Sequence, residues 1–201
     1  MTTPVIIVDY GLGNLHSVRK AVAAAGGEPV VTADAAVVAA ADKVLLPGVG
    51  AFGDCMRNLR QSGLIPVLRE HIRRDKPFLG ICLGMQVLFE ESEESPGVPG
   101  LGIFPGKVIR IPTALKIPHM GWNSLALRTP CPLLADAGGQ YVYFVHSYCC
   151  EPADRSLVTA VAEYGYPIVA SVARGNVMGF QFHPEKSSAV GLAMLRRLVE
   201  L

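Results

Sequence analysis

The chain lacks what would tie it to a nucleic acid, a membrane or an oxidising compartment. Its 201 residues carry 18 Lys and Arg against 17 Asp and Glu, a formal charge of +1, so no charge excess points to a polyanionic partner. The densest basic cluster, Arg69, Arg73, Arg74 and Lys76, is mixed with Glu70 and Asp75 and reads as a solvated helix face. No apolar run approaches the roughly 20 residues that cross a bilayer. The opening Met1-Thr2-Thr3-Pro4-Val5 has neither the basic n-region nor the cleavage site of a signal peptide. The 5 cysteines are an odd number without framework spacing. Cys-x-x-Cys and His-x-x-x-His spacings are absent, which leaves no zinc pattern and no candidate metal ligands. Reduced thiols in a cytoplasmic protein fit best. There are no repeats and no low-complexity linker.

What is present is apolar: 50% of the residues are hydrophobic, enough for one core over a single domain spanning 1–201. The first half alternates. Short apolar runs at Val5–Val8, Pro29–Thr32, Lys43–Leu46 and Pro77–Cys82 read as strands. Between them lie helical patterns from Leu15 to Ala25, a weak one from Asp34 to Ala41, and two more at Phe52–Gln61 and Leu64–Arg74. This predicts an α/β fold with a mostly parallel central sheet flanked by helices on both faces. After a polar loop at Glu91–Gly97 come shorter β-like runs, Lys107–Ile111, Tyr141–Tyr148, Leu157–Glu163 and Ile168–Ala173, expected as an antiparallel β section in the second half. Val177–Phe182 is a further strand. Ser187 or Ser188 can cap a last helix with Val190, Met194, Leu195 and Leu198 inward.

The chain is organised around Gly80-Ile81-Cys82-Leu83-Gly84. An apolar run ends in Gly-x-Cys-x-Gly, and a helical pattern (Leu83, Gln86, Val87, Glu90) follows at once. The cysteine therefore sits on a strand-to-helix elbow, the sulfur analogue of the Gly-x-Ser-x-Gly nucleophile elbow. The helix behind it is expected to aim free N–H groups and its positive end at the sulfur, favouring thiolate. A small buried residue in a tight turn is the plainer alternative. In a parallel sheet ligands bind at the carboxyl ends of strands, and three glycine-bearing turns fall there: Gly11–Asn14, Pro47–Gly50 and Gly80–Gly84.

Two further stretches bear on chemistry. In Phe182-His183-Pro184-Glu185 an extended backbone would put His183 and Glu185 on one face, suiting a base and its orienting carboxylate. Alone the tripeptide reads as a loop; with a cysteine elbow it completes nucleophile, base and orienter. Pro47-Gly48-Val49-Gly50 can aim backbone N–H groups at an oxyanion. Gly48-x-Gly50-x-x-Gly53 also matches a dinucleotide fingerprint, but the acid that motif needs about 20 residues on falls near Glu70, inside a helix rather than at a strand end. Cys55, Cys131, Cys149 and Cys150 carry no pattern, and His16 and His71 read as helix-surface residues.

Together, Gly-Ile-Cys-Leu-Gly-Met-Gln, Phe-His-Pro-Glu-Lys-Ser and Pro-Gly-Val-Gly resemble the class I (triad-type) glutamine amidotransferases over essentially the whole chain. Pro118-His119-Met120-Gly121-Trp122-Asn123 and Tyr143-Phe144-Val145-His146-Ser147-Tyr148 resemble the glutaminase subunits of imidazole glycerol phosphate synthases. The resemblance implies Cys82 as nucleophile, His183 as base and Glu185 as its orienter. It implies oxyanion contacts from the N–H groups of Val49 and Leu83, and L-glutamine contacts from Gly48, Gly50, Gln86, Glu94, Ser147 and Tyr148. Ser147 stands where the usual residue is Thr, a departure that a backbone contact survives. It also implies no cofactor, and a (β/α)8-barrel cyclase subunit as heterodimer partner, docked around Asn14, Trp122, Tyr143 and Lys186 and receiving ammonia through a channel. The lone subunit is then expected to be nearly inactive, with the Gly48-Val49 peptide flipping on docking. Core packing is the alternative for Trp122, though its polar Gly-Trp-Asn loop favours an interface. The other readings are the glutaminase partner of pyridoxal phosphate or anthranilate synthase, a stand-alone γ-glutamyl cysteine hydrolase, and a non-catalytic subunit on the same scaffold.

Overall fold

A computed structural model describes residues 4–201. In chain order the elements are β1 (Val5–Val8), α1 (Leu15–Ala24), β2 (Pro29–Thr32), α2 (Ala35–Ala40), β3 (Lys43–Gly48), α3 (Phe52–Gln61), α4 (Leu64–Arg73), β4 (Phe78–Cys82), α5 (Leu83–Gln86), β5 (Glu91–Ser92), β6 (Gly106–Arg110), β7 (His119–Ser124), β8 (Ala126–Leu127), β9 (Tyr141–His146), β10 (Tyr148–Pro152), β11 (Val158–Glu163), β12 (Pro167–Arg174), β13 (Val177–Phe180) and α6 (Ser188–Glu200).

The main sheet runs β2-β1-β3-β4-β13-β12-β11-β8. Its first five strands are mutually parallel, and β12, β11 and β8 continue it antiparallel. Side chains alternate between two cores, as a strand's period of two requires. Ile6 and Val8 of β1 and Val44 and Leu46 of β3 enter one core, with Val38, Met56, Leu59 and Leu68 from α2, α3 and α4. Val5, Ile7, Leu45 and Leu79 enter the other, with Val18 and Val22 of α1 and Met194, Leu195 and Leu198 of α6. Strands buried on both faces read as unbroken apolar runs, and that is why they are visible in sequence.

The second half differs from expectation in several places. The polar stretch after Glu90 holds a short strand, β5, parallel to β6. The Gly-Trp-Asn stretch is no loop but the middle of β7, antiparallel to β9 with Trp122 opposite Tyr143. The run Tyr141–Tyr148 breaks at Ser147 into β9 and β10, which join different sheets. The helix expected to continue to Glu90 stops after Gln86, because loop residues compete for the next carbonyls. Leu101 N donates to Val87 O at 2.7 Å, Ile103 N to Leu88 O at 2.8 Å and Gly100 N to Glu90 O at 2.8 Å. His71 is buried rather than on the surface, with Nε2 3.1 Å from Pro77 O.

Candidate active site

β3 and β4 are neighbours in parallel register, and Gly48 is the residue opposite Cys82. The two turns predicted for chemistry therefore leave the same edge of the sheet side by side. Cys82 is the elbow itself, at φ 53° and ψ -108°, a conformation that costs a non-glycine residue on the order of 1–3 kcal/mol and persists only where the surroundings impose it. Here they do. A Cβ on Gly84 would lie 1.9 Å from Leu46 O, and one on Gly80 would lie 2.4 Å from Gly84 O. Both glycines of the Gly-x-Cys-x-Gly motif are needed because backbone passes over backbone. The helix expected behind the sulfur is only the four residues Leu83–Gln86, and Cys82 makes no side-chain capping bond to it, so no macrodipole is built there.

His183 follows β13 and hangs from β9: its amide donates to Tyr143 O at 2.9 Å. The backbone from Pro184 to Lys186 is a 3-10 turn rather than the extended segment expected. His183 and Glu185 meet all the same, with Nδ1 2.7 Å from Oε1 and both side chains almost wholly buried. Ser187 does not cap α6 with its side chain. Its hydroxyl donates to His183 O at 2.6 Å and accepts from Tyr143 N at 3.0 Å, fixing the joint that carries the ring.

Burial alone would lower the His183 pKa. The neighbouring Cys82 sulfur, as a charge partner, and the Glu185 carboxylate outweigh it and push the value up to about 10. Nε2 is nonetheless buried without a hydrogen-bond partner, so the sulfur influences it from outside hydrogen-bonding geometry and the nitrogen is left for an incoming group. Oε2 of Glu185 is likewise buried and unpartnered.

Cys82 and His183 line one cavity of about 310 Å³, together with Val49, Gly50, Leu83, Gln86, Glu94, Val145, His146, Ser147 and Tyr148. Gly48 lies beneath this wall, where a Cβ would come within 2.7 Å of Tyr10 Oη and 2.8 Å of Leu83 Cβ. Gln86 Nε2 donates to Tyr148 O at 3.0 Å and to Gln181 Oε1 at 3.1 Å. Glu94 Oε2 accepts from Phe52 N at 2.7 Å, which holds its loop against the start of α3.

Sequence reasoning passed over three residues here. Gln181, fully buried, donates from Nε2 to Cys82 Sγ at 3.6 Å; its spacing of two from His183 was the available signal. Tyr10 Oη donates to Pro47 O at 2.8 Å under the glycine turn. His146 lines the cavity wall. Of the residues expected at a partner surface, Trp122 is 52% exposed and sits edge-on to Tyr143, over which Lys186 places its ammonium 5.7 Å from the ring centroid. Asn14 caps α1, its Oδ1 accepting from Ser17 N at 3.3 Å.

None of the other thiols lines the cavity. Burial pushes Cys55 and Cys149 up to about 12 and raises Cys131 and Cys150 as well, which keeps all four protonated and unreactive at neutral pH.

The model of the family "Glutamine amidotransferase class-I" matches residues 6–200. The chain belongs to that family. This amidotransferase is 49% identical over 205 residues to the "Imidazole glycerol phosphate synthase subunit HisH" of Syntrophotalea carbinolica, covering 98% of this chain and 100% of the relative. It is 50% identical over 192 residues to the protein of that name from Aquifex aeolicus, covering 94% and 93%, and 49% identical over 197 residues to that of Methanothermobacter thermautotrophicus, covering 98% of each. A solved glutamine amidotransferase superposes on it with a TM-score of 0.77 at 18% identity, covering 98% of this chain and 99% of that one. At that identity the likeness speaks for the fold of the amidotransferase, and the Gly48 turn and the Cys82 elbow sit at the carboxyl ends of adjacent parallel strands, the edge where such sheets bind ligands.

Proposed function

We propose that this amidotransferase is the glutaminase subunit of an imidazole glycerol phosphate synthase in histidine biosynthesis, and that Cys82, His183 and Glu185 are its triad. The observation that carries the reading is the single cavity faced by both the Cys82 elbow and the His183 ring, with Glu185 bound behind the ring.

L-Glutamine fills the cavity with its side-chain amide over Cys82. The thiol proton passes to His183 before the attack, where a pKa near 10 keeps it while sulfur adds to the amide carbon, and the ring gives it up to the leaving amine. The N–H groups of Val49 and Leu83, at the ends of β3 and β4, receive the oxyanion. The carbon–nitrogen bond then breaks, ammonia leaves with the proton from His183, and a γ-glutamyl thioester remains on Cys82. Water, deprotonated by His183, attacks the thioester and yields glutamate and the free thiol. Gln86, Glu94, Gly50 and the backbone of Ser147 and Tyr148 grip the amino-acid end.

The ammonia passes to a (β/α)8-barrel cyclase subunit. There it reacts with N'-[(5'-phosphoribulosyl)formimino]-AICAR-phosphate, giving imidazole glycerol phosphate and AICAR. In neutral water most ammonia is protonated and no longer nucleophilic, so an enclosed route preserves it. The docking surface fits this: Met120 and Trp122 on β7 and Tyr141 on β9 are 61%, 52% and 59% exposed, neighbours across one two-stranded sheet. Exposed aromatic and methionine side chains clustered like this mark interfaces.

The test is glutamate formation by the purified chain alone, with the barrel cyclase, and with cyclase plus the nucleotide. The expected result is a rise of orders of magnitude on assembly, with little free ammonia. Equal turnover by the lone chain would instead favour a stand-alone γ-glutamyl hydrolase.

A further inference from the structure

Two buried histidines take no part in the chemistry above. His119 opens β7, His146 closes β9, and they are register partners. The His119 ring is clamped between Phe144 and Tyr164, with centroids 4.7 Å and 4.1 Å away. Its Nδ1 lies 2.9 Å from His146 Nε2, and His146 Nδ1 lies 2.8 Å from Tyr148 O.

The directions of these bonds follow from one end. A carbonyl only accepts, so His146 Nδ1 carries the hydrogen and its Nε2 is bare. His119 Nδ1 must then donate, which leaves His119 Nε2 bare to accept from Asn123 Nδ2 at 3.3 Å. The second amide hydrogen of Asn123 goes to Glu163 O at 2.8 Å, and its Oδ1 accepts from Ser124 N at 2.8 Å. Each ring nitrogen thus has one partner, and the chain of bonds has one possible sense. Burial lowers the pKa of both rings, in line with neutral imidazoles.

The inner end of this chain is a wall of the cavity: Tyr148 O also receives Gln86 Nε2 at 3.0 Å. The outer end lies on the strand that displays Trp122. Along β7 the side chains of His119 and Asn123 turn inward, while Met120 and Trp122 are exposed.

We propose that Asn123, His119 and His146 form a positioning relay that fixes the Tyr148 carbonyl, and with it the Ser147–Tyr148 edge of the substrate cavity, from the inner face of the strand that meets the partner. None of the three is a catalytic residue. The inference rests on the reading that this cavity takes glutamine.

His119→Phe tests it, because a phenyl ring preserves the stacking between Phe144 and Tyr164 while cutting the relay. Asn123→Ala is the second variant, at a half-buried position where folding is less at risk. Each is assembled with the barrel cyclase and nucleotide, checked by thermal melting, and assayed for glutamine turnover. The expected result is a KM for glutamine raised by about tenfold, the size of one lost hydrogen bond in the grip, with kcat nearly unchanged. The double variant is expected to be no worse than the worse single, since both cut one chain; independent structural damage would add. A folded His119→Phe or Asn123→Ala complex with unaltered KM, or one that loses kcat alone, would overturn the relay. Absence of turnover in the unsubstituted complex would instead overturn the glutaminase reading itself.

Discussion

The amide of His183 donates to the carbonyl of Tyr143 at 2.9 Å, so the ring placed to handle protons hangs from the strand whose next-door residue across the pair is Trp122. Ser187 closes the same joint with two bonds of its own. Ser187→Ala leaves Tyr143 N without its partner in a part-buried place and His183 O with the Lys186 amide alone, an expected loss of about 1–3 kcal/mol. Glutamine turnover should fall with it, because a displaced ring no longer meets the sulfur. Urea titration and steady-state assay of the same variant in the assembled complex check both; full activity would show that the joint does not set the ring.

Glu185→Gln keeps an oxygen for His183 Nδ1 and removes the charge. The His183 pKa, which Cys82 and Glu185 raise to about 10 against the effect of burial, should drop. Turnover should fall by about 10^2 to 10^4, as when other triads lose their carboxylate but keep its shape. A pH–rate profile of the variant reads both changes.

Cys82 sits at φ 53°, where glycine is at ease and alanine is not. Both Cys82→Ala and Cys82→Gly should abolish turnover, but the glycine variant should be the more stable of the two by about 1 kcal/mol. Thermal denaturation of the pair decides; a glycine variant that melts lower would mean that the elbow is not strained.

Stability should fall on both sides of neutrality, for opposite reasons. Burial lowers His119 to about 4 and His146 to about 3. As pH falls below about 6.5 the unfolded chain binds protons that these two refuse, so the stabilising preference for the neutral rings is lost as pH drops through the folded values. His183 acts the other way. Its folded value is raised to about 10, so its contribution is complete below about 6.5 and is lost as pH rises through 10. Denaturant midpoints at mildly acid, neutral and alkaline pH should trace a dome, and His183→Gln should flatten its alkaline limb.

The parallel half of the fold could be read from sequence because its strands are buried on both faces and its turns need glycine for close approach, as at Gly80 and Gly84. The second half resisted. Gly121-Trp122-Asn123 has the composition of a loop, and only pairing with a strand some 20 residues away in the chain makes it β7. His183 and Glu185 were paired for the wrong local reason, an extended backbone, where the molecule uses a 3-10 turn. The helix after Cys82 carried a helical pattern to Glu90, but the carbonyls that would extend it are taken by residues 100–104. For His71 the signal was present: Leu64, Leu68, His71 and Ile72 fall on one helical stripe, and all four are buried. Gln181, which reaches the sulfur, is a polar residue inside an otherwise apolar strand-end run, and its type alone carries no signal of that contact.

The most direct test of the central claim is covalent capture. The chain, assembled with its barrel cyclase and nucleotide, is treated with a glutamine-like diazoketone, digested and mapped by mass spectrometry. The account predicts one modified residue, Cys82, with labelling blocked by L-glutamine and lost in His183→Ala. Labelling that spares Cys82 in the active complex, or that glutamine does not protect, would contradict it.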